Sequence, residues 1–151
     1  MFFDQRLAAL NVEAKSAEDV IRCGSKLLFD AGDVRDDYCE HVLEREVVFP
    51  TGLVTSGLGV AMPHTDHEYV KRSQIAFVSL KEPVNFKFMA DKEVDVPVSI
   101  AFVIAMSQPH EQVETLSNLS RAFEDPALLE RLHACSSVEE LAGILTDHGI
   151  S

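Results

Sequence analysis

The residues best suited to chemistry lie in the run GLGVAMPHTDH, between Gly57 and His67. The short apolar run at 60–62 is typical of the end of a buried strand, and Pro63 favours an extended residue before it. Because proline has no amide hydrogen and cannot continue a central ladder, we expect His64 at the rim of a sheet, where ligands reach open α/β sheets. A neutral imidazole is a nucleophile near neutral pH, since its ordinary pKa is about 6.5. His64 is therefore a candidate acceptor for a phosphoryl group.

Two kinds of residue that precede this histidine could bind an anion. Glycines let the backbone approach a ligand closely, and hydroxyl side chains donate hydrogen bonds. The glycines are Gly52, Gly57 and Gly59, and the hydroxyl side chains are Thr51, Thr55 and Ser56. From these we expect Thr51, Gly57 and Gly59 to bind phosphate.

The composition is that of a globular protein with a real core. The chain has 151 residues, of which 46% are hydrophobic and 25% charged, so we expect one domain over residues 1–151. The formal net charge of −12 argues against nucleic acid and anionic membrane surfaces as partners, and it favours a basic protein partner.

Cysteine usage and hydropathy predict a cytoplasmic location. Cys23, Cys39 and Cys135 are widely spaced and odd in number, which is typical of reduced thiols. The N-terminal run MFFDQRLAAL does not resemble a signal peptide. The longest apolar run, at 100–106, is too short to span a bilayer, so we expect no membrane insertion.

The apolar spacing predicts five helices. The first covers about 17–31, with a capping box at Ser16 and a C-terminal Gly32, and the second covers about 35–46. After the strands, a third helix begins at Pro109, and two short ones cover about 127–133 and 138–145, capped by Asp125 and Ser137. In the third helix, His110 would lie near the positive N-terminal end, where an anion is favoured.

Three apolar segments after the glycine-rich run predict strands. They are Ile75–Leu80, Val84–Phe88 and Val96–Met106. We expect a hairpin turn at 81–83, a polar loop at 91–95, and Pro97 at the very start of a central strand. The predicted fold class is therefore α/β: a sandwich with a central mixed β-sheet flanked by helices on both faces.

The sequence motifs do not favour a metal site or another class of catalytic site. His64, Asp66 and His67 are close in sequence, but they do not form a helical HExxH motif and no cysteine accompanies them. The chain also has no nucleophile elbow and no GxxxxGK phosphate loop. We therefore expect neither a metal nor a cofactor.

The pattern TGL followed by GLGVAMPH resembles the active-site signature of the fructose/mannitol-type (type 2) enzyme IIA domains of the bacterial phosphoenolpyruvate-dependent sugar phosphotransferase system. The resemblance implies that His64 becomes phosphorylated. It also implies that Arg45, in an Arg-Glu pair with Glu46, lies beside this histidine, and that His110, in the run HEQVETL, assists it. Thr65 departs from the small residue that usually ends the signature.

The resemblance also implies a role and partners. A phosphoryl group would arrive from the phosphohistidine of the carrier protein HPr and leave to a cysteine of enzyme IIB, which serves the membrane subunit enzyme IIC. The run EREVVFPTGL is most similar to the galactitol-type branch. Two alternatives remain: a regulatory enzyme IIA of the nitrogen-related branch, and an interaction module that uses His64 only as a contact.

Overall fold

A four-stranded mixed sheet forms the centre of the computed structural model, which describes residues 2–150. In spatial order, β1 pairs in parallel with β3, β3 pairs antiparallel with β4, and β4 pairs in parallel with β2. The strands are β1 (Ala8–Val12), β2 (Gly59–Ala61), β3 (Gln74–Phe88) and β4 (Asp91–Ala105).

Five α-helices cover the two faces of this sheet. Two precede the central hairpin, α1 (Ala17–Asp30) and α2 (Tyr38–Val48), and three follow it, α3 (Pro109–Ala122), α4 (Pro126–Ala134) and α5 (Val138–Asp147). One apolar core joins the sheet to α1 and α2, and the other joins it to α3, α4 and α5. The α/β sandwich predicted from the sequence is confirmed.

Local capping chemistry determines where three of the helices begin. Ser16 and Ser137 each accept a hydrogen bond from the backbone three residues on, at 3.2 Å. Asp125 accepts from Ala127 and Leu128 at 3.1 and 3.2 Å. These hydrogen bonds satisfy amides that the first helical turn leaves free, which is why the sequence located these starts correctly.

The central hairpin differs from the prediction. Residues 81–83 do not form a turn, because β3 continues through them to Phe88 and the turn lies at 89–90. The pairing passes from Ser79 opposite Ile100 to Val84 opposite Val98, so the intervening residues form a bulge. A bulge tolerates Pro83 because its residues leave the regular ladder.

The start of β4 also differs from the prediction. Residues 91–95 belong to the strand rather than to a loop, and Pro97 lies inside it rather than at its start. Pairing with β2 begins only at Val98, so on that edge Pro97 is not required to donate an amide hydrogen.

Strand β1 and a 3-10 turn at His67–Tyr69 were not predicted. β1 has only five residues, its pairing with β3 is irregular between Ala9 and Val12, and Asn11 adopts a left-handed conformation with φ 55°. An irregular strand of this length lacks the alternation that reveals strands in a sequence.

Candidate functional site

His64 lies where the chain leaves the sheet beyond β2. It forms a parallel bridge with Ile104 near the end of β4, and the Ile104 amide donates to the Pro63 carbonyl at 2.9 Å. The buried Tyr38 hydroxyl donates to the Ile104 carbonyl at 2.7 Å. The predicted rim position of the histidine is therefore what the structure shows.

The imidazole of His64 is held by its own backbone. Its Nδ1 atom lies 2.7 Å from the Met62 carbonyl oxygen. Because a carbonyl oxygen only accepts hydrogen bonds, Nδ1 carries the ring hydrogen and Nε2 keeps its lone pair. Burial lowers the pKa of His64, and the charge of Arg45 acts in the same direction, while the Met62 carbonyl and Asp66 oppose the shift. The neutral, nucleophilic form of the ring is thus favoured near neutral pH.

Arg45, in the last turn of α2, supplies positive charge beside this histidine. Its Nη1 lies 3.7 Å from Asp66 Oδ1, and its guanidinium lies 5.2 Å from the centre of the Phe49 ring. Within residues 2–150 its buried Nε has no hydrogen-bond partner. The side chain as a whole is 33% exposed, so its positive charge can attract an anion to this position.

Glu46 and Thr51 form a hydrogen-bonded pair behind the histidine. The Thr51 amide donates to Glu46 Oε2 at 2.7 Å and the Thr51 hydroxyl donates to Glu46 Oε1 at 2.9 Å. The Thr51 hydroxyl oxygen also accepts from the Met62 amide at 3.2 Å. The donors of Thr51 are therefore engaged inside the protein rather than directed at a ligand.

The glycines predicted to bind phosphate lie away from the histidine. Gly59 pairs with Val98 and His64 with Ile104, and the five extended residues from Gly59 to His64 span about 17 Å. A Cβ at Gly59 would overlap the Pro97 carbonyl, and one at Gly57 would lie 3.1 Å from Pro126. Position 59 therefore requires glycine because β2 and β4 lie too close together there for a side chain.

His110 is exposed in the first turn of α3, as predicted. It lines a cavity with Phe2, Ile75, Glu114 and Asn118. Ile75 and His64 pair with Ile104 from opposite sides, which places their Cα atoms about 10 Å apart. His110 therefore lies at the same end of the sheet as His64, and among residues 2–150 no hydrogen bond joins the two rings.

Asp66 is the charged neighbour that the sequence did not assign to this role. It was weighed only as a metal ligand, whereas the structure places it beside Arg45. In the described part of the chain, no three His, Cys, Asp or Glu side chains are grouped so that they could hold a metal ion. The opposite charges of Arg45 and Asp66 were both visible in the sequence, but their proximity depends on the packing of α2.

The chain belongs to a family of phosphocarrier domains. Residues 1–148 match the family model described as "Phosphoenolpyruvate-dependent sugar phosphotransferase system, EIIA 2". The resemblance seen in the signature is thus confirmed at the level of the family. Components of this family are phosphotransferase proteins, so the chain is assigned to that class.

Named relatives come from several branches of this family. The ascorbate-specific PTS system EIIA component of Salmonella choleraesuis is 30% identical over 137 residues, covering 90% of this chain and 86% of that protein. A chain of the complex of enzyme IIAMTL and phosphorylated enzyme IIBMTL from Escherichia coli is 26% identical, with a TM-score of 0.77, and 94% of this chain and 95% of that chain are covered. The nitrogen regulatory protein IIA-Ntr from Neisseria meningitidis is 30% identical, with a TM-score of 0.73 and 93% of each chain covered.

Among residues 2–150, none of the helices has the length and apolar character needed to cross a membrane.

Proposed function

We propose that this chain carries a phosphoryl group on Nε2 of His64, accepting it from HPr and passing it to a cysteine of an enzyme IIB. The observation that carries the proposal is the hydrogen bond from Nδ1 to the Met62 carbonyl, because it leaves Nε2 as the free nucleophilic nitrogen. The proposal treats residues 1–151 as a single functional domain on the cytoplasmic side of the membrane.

The transfer needs no other reactant. The Nε2 lone pair forms a bond to phosphorus while the bond between phosphorus and the HPr histidine nitrogen breaks, and that nitrogen keeps the electron pair. In the second transfer a thiolate of enzyme IIB attacks phosphorus, and Nε2 recovers its lone pair. Such reactions depend on positioning and charge stabilisation, which Arg45 and His110 would supply.

The surface beside the site suits a protein partner. Val48 and Phe49, at the end of α2, are 55% and 61% exposed and flank Arg45. Exposed apolar side chains beside a reactive group are a common feature of interaction surfaces. The net charge of −12 favours a basic partner for the chain as a whole.

The sugar served by the transporter is the least constrained part of the proposal. The galactitol assignment rests on the run EREVVFPTGL, whereas relatives are named for ascorbate and mannitol. We propose uptake of a sugar or sugar derivative as the destination of the phosphate. Galactitol, mannitol and ascorbate are then the three substrates to test with the matching IIB and IIC components.

A regulatory role is the second candidate, and it is favoured by the likeness to the nitrogen regulatory protein. In that case phosphate would still arrive on His64 but would not pass rapidly to any enzyme IIB. The rate of loss of phosphate in the presence of enzyme IIB therefore separates the two functions.

The proposal is tested by incubating the protein with phosphoenolpyruvate, enzyme I and HPr and locating the phosphate by mass spectrometry. We expect one phosphate, on His64, and none on the His64→Ala variant. His67→Ala is the matched control and should be phosphorylated like the unmodified protein. Phosphate on another residue, or undiminished labelling of His64→Ala, would refute the proposal.

A further inference from the structure

Glu46 is fixed by hydrogen bonds within the protein. It lies in the last turn of α2, where charged side chains are commonly solvated, yet both of its carboxylate oxygens accept hydrogen bonds from Thr51. The neighbouring Glu44 provides the contrast, because its side chain is 75% exposed and its Oε2 lies 3.7 Å from His41 Nδ1.

Three hydrogen bonds, through Thr51 and Met62, connect this carboxylate to the reactive ring. Glu46 accepts the hydroxyl hydrogen of Thr51, the Thr51 oxygen accepts the amide hydrogen of Met62, and the Met62 carbonyl accepts the Nδ1 hydrogen of His64. The three distances are 2.9, 3.2 and 2.7 Å.

The direction of each hydrogen bond follows from elementary chemistry. A threonine hydroxyl has one hydrogen, and Glu46 accepts it, so the lone pairs of the Thr51 oxygen are left for the Met62 amide. If the carboxylate were lost, the hydroxyl could rotate and the buried Met62 amide would lose its fixed acceptor. A buried donor without a partner is destabilising, so the backbone of Met62 would move to find another.

We propose that Glu46 is a positioning residue that, through Thr51, holds the Met62 backbone and thereby selects the Nδ1-protonated tautomer of His64. The effect on phosphoryl transfer rests on the function proposed above, but the effect on the tautomer does not. Glu46 acts through the backbone and does not touch the phosphoryl group.

Glu46 performs this role in its ionised form, which is the major form only above about pH 7. Burial raises the pKa of Glu46 to about 7, and the two hydrogen bonds from Thr51 oppose the rise. The ionised form is the one whose two oxygens can accept from both Thr51 donors at once.

The test compares Glu46→Gln, Thr51→Val and Thr51→Ser with Glu44→Gln as the control from the same helix. Glutamine places an NH2 group, which only donates, at one of the two oxygen positions that accept from Thr51, so it cannot reproduce the paired arrangement. Valine removes the hydroxyl while keeping the shape of threonine. Serine keeps the hydroxyl, so Thr51→Ser should retain the hydrogen bonds to Glu46 and Met62 that Thr51→Val loses. The ring-nitrogen NMR shifts of His64 in the unphosphorylated protein report which nitrogen carries the hydrogen.

We expect the unmodified protein, Thr51→Ser and Glu44→Gln to show the Nδ1-protonated tautomer. Glu46→Gln and Thr51→Val should show a mixture of the two tautomers. Their rate of phosphoryl transfer from HPr at saturating HPr should fall by the same factor as the population of the Nδ1-protonated tautomer, about twofold for an equal mixture. The KM for HPr should change less than this, because the nucleophile and not the docking surface is altered.

An unchanged tautomer in both Glu46→Gln and Thr51→Val would overturn the inference, as would a Thr51→Ser variant that behaves like Thr51→Val. If Glu46→Gln fails to fold, the comparison of Thr51→Val with Thr51→Ser decides the matter alone. If the tautomers change as expected but the unmodified protein accepts no phosphate, the positioning inference stands and the proposed function fails.

Discussion

Tyr38 donates its hydroxyl hydrogen to the backbone carbonyl of Ile104 at 2.7 Å, deep inside the protein. Tyr38 begins α2, and Ile104 is the residue that pairs with His64. The helix that carries Arg45 and the strand that positions His64 are therefore joined directly. This hydrogen bond is one of the contacts that hold α2 against the sheet, together with the Glu46–Thr51 pair at the other end of the helix.

Replacing Arg45 with alanine should slow phosphoryl transfer from HPr by about tenfold or more. A charge-assisted hydrogen bond contributes roughly 1.5–3 kcal/mol, and the partly exposed guanidinium of Arg45 has donors for one. Arg45→Lys should keep an intermediate rate, because lysine retains the charge but not the planar set of donors. Rapid-quench measurements of the transfer rate from HPr to the unmodified protein, Arg45→Lys and Arg45→Ala test this order.

Stability should change little in these variants. The ion pair of Arg45 with Asp66 is partly exposed, and such pairs contribute about 1 kcal/mol or less. The control for a general charge effect is Arg22→Ala, because Arg22 on α1 is paired with Glu18 on the same helix and with Glu40 on α2. Equal transfer rates in Arg45→Ala and the unmodified protein would show that Arg45 is only a solvated helix end.

Replacing His110 with alanine should leave phosphorylation by HPr intact but slow onward transfer to enzyme IIB severalfold. The expectation follows from the position of His110 at the N-terminus of α3. The free helix amides and the His110 imidazole favour an anion there, at the end of the sheet where His64 lies. The measurement is the loss of phosphate from isolated phosphorylated protein after enzyme IIB is added. His148→Ala, at the end of α5, is the control, and identical onward rates for all three proteins would remove His110 from the mechanism.

The raised pKa of Glu46 predicts a fall in stability with rising pH. Its pKa is about 7 in the folded protein against an ordinary value of 4.5, so the unfolded chain loses this proton first as the pH rises. The free energy of unfolding should therefore decrease between about pH 4.5 and pH 7 and stay lower above it, by at most about 3 kcal/mol. Glu46→Gln has no proton to lose, so its stability should fall less.

Urea denaturation at pH 5 and pH 8 measures this difference. Comparing the two proteins cancels the contributions of all other titrating groups that the substitution leaves alone. A pH-dependent decrease of equal size in the unmodified protein and Glu46→Gln would mean that Glu46 ionises in the folded state with an ordinary pKa.

Gly59→Ala should destabilise the protein by about 2 kcal/mol or more, because the added Cβ would overlap the Pro97 carbonyl of the neighbouring strand. Gly143→Ala is the matched control. Gly143 lies inside α5 and a Cβ there meets nothing within 4 Å, so alanine should stabilise the helix by about 0.5–1 kcal/mol. Thermal unfolding of both variants checks the opposite signs, and a stable Gly59→Ala would show that the strands can separate to admit a methyl group.

Features with a local cause could be predicted from the sequence. Ser16, Asp125 and Ser137 cap helices through hydrogen bonds to residues two or three positions away, and the apolar stripes of the helices are equally local. The position of His64 is local too, since Pro63 ends the strand before it. These elements were therefore predicted in the correct order and type.

The errors concern features that depend on partners far along the chain. The bulge before Val84 exists because β3 must stay in register with β4 on both sides of it, and nothing within residues 80–83 reveals that requirement. In the candidate site, the binding of phosphate by Thr51 stays a prediction. What the sequence did not reveal is that the Thr51 hydroxyl bonds to Glu46 and Met62, because this pairing exists only once α2 has packed against the sheet.

The hydrogen bond from His64 Nδ1 to the Met62 carbonyl leaves a single ring nitrogen for chemistry. Donor and acceptor must then approach the same atom, so they cannot be bound productively at the same time. Each turnover of the proposed carrier would have to be a shuttle in which HPr departs before enzyme IIB arrives. Steady-state transfer between the two should accordingly be ping-pong, with double-reciprocal plots that form parallel lines at different concentrations of the second partner.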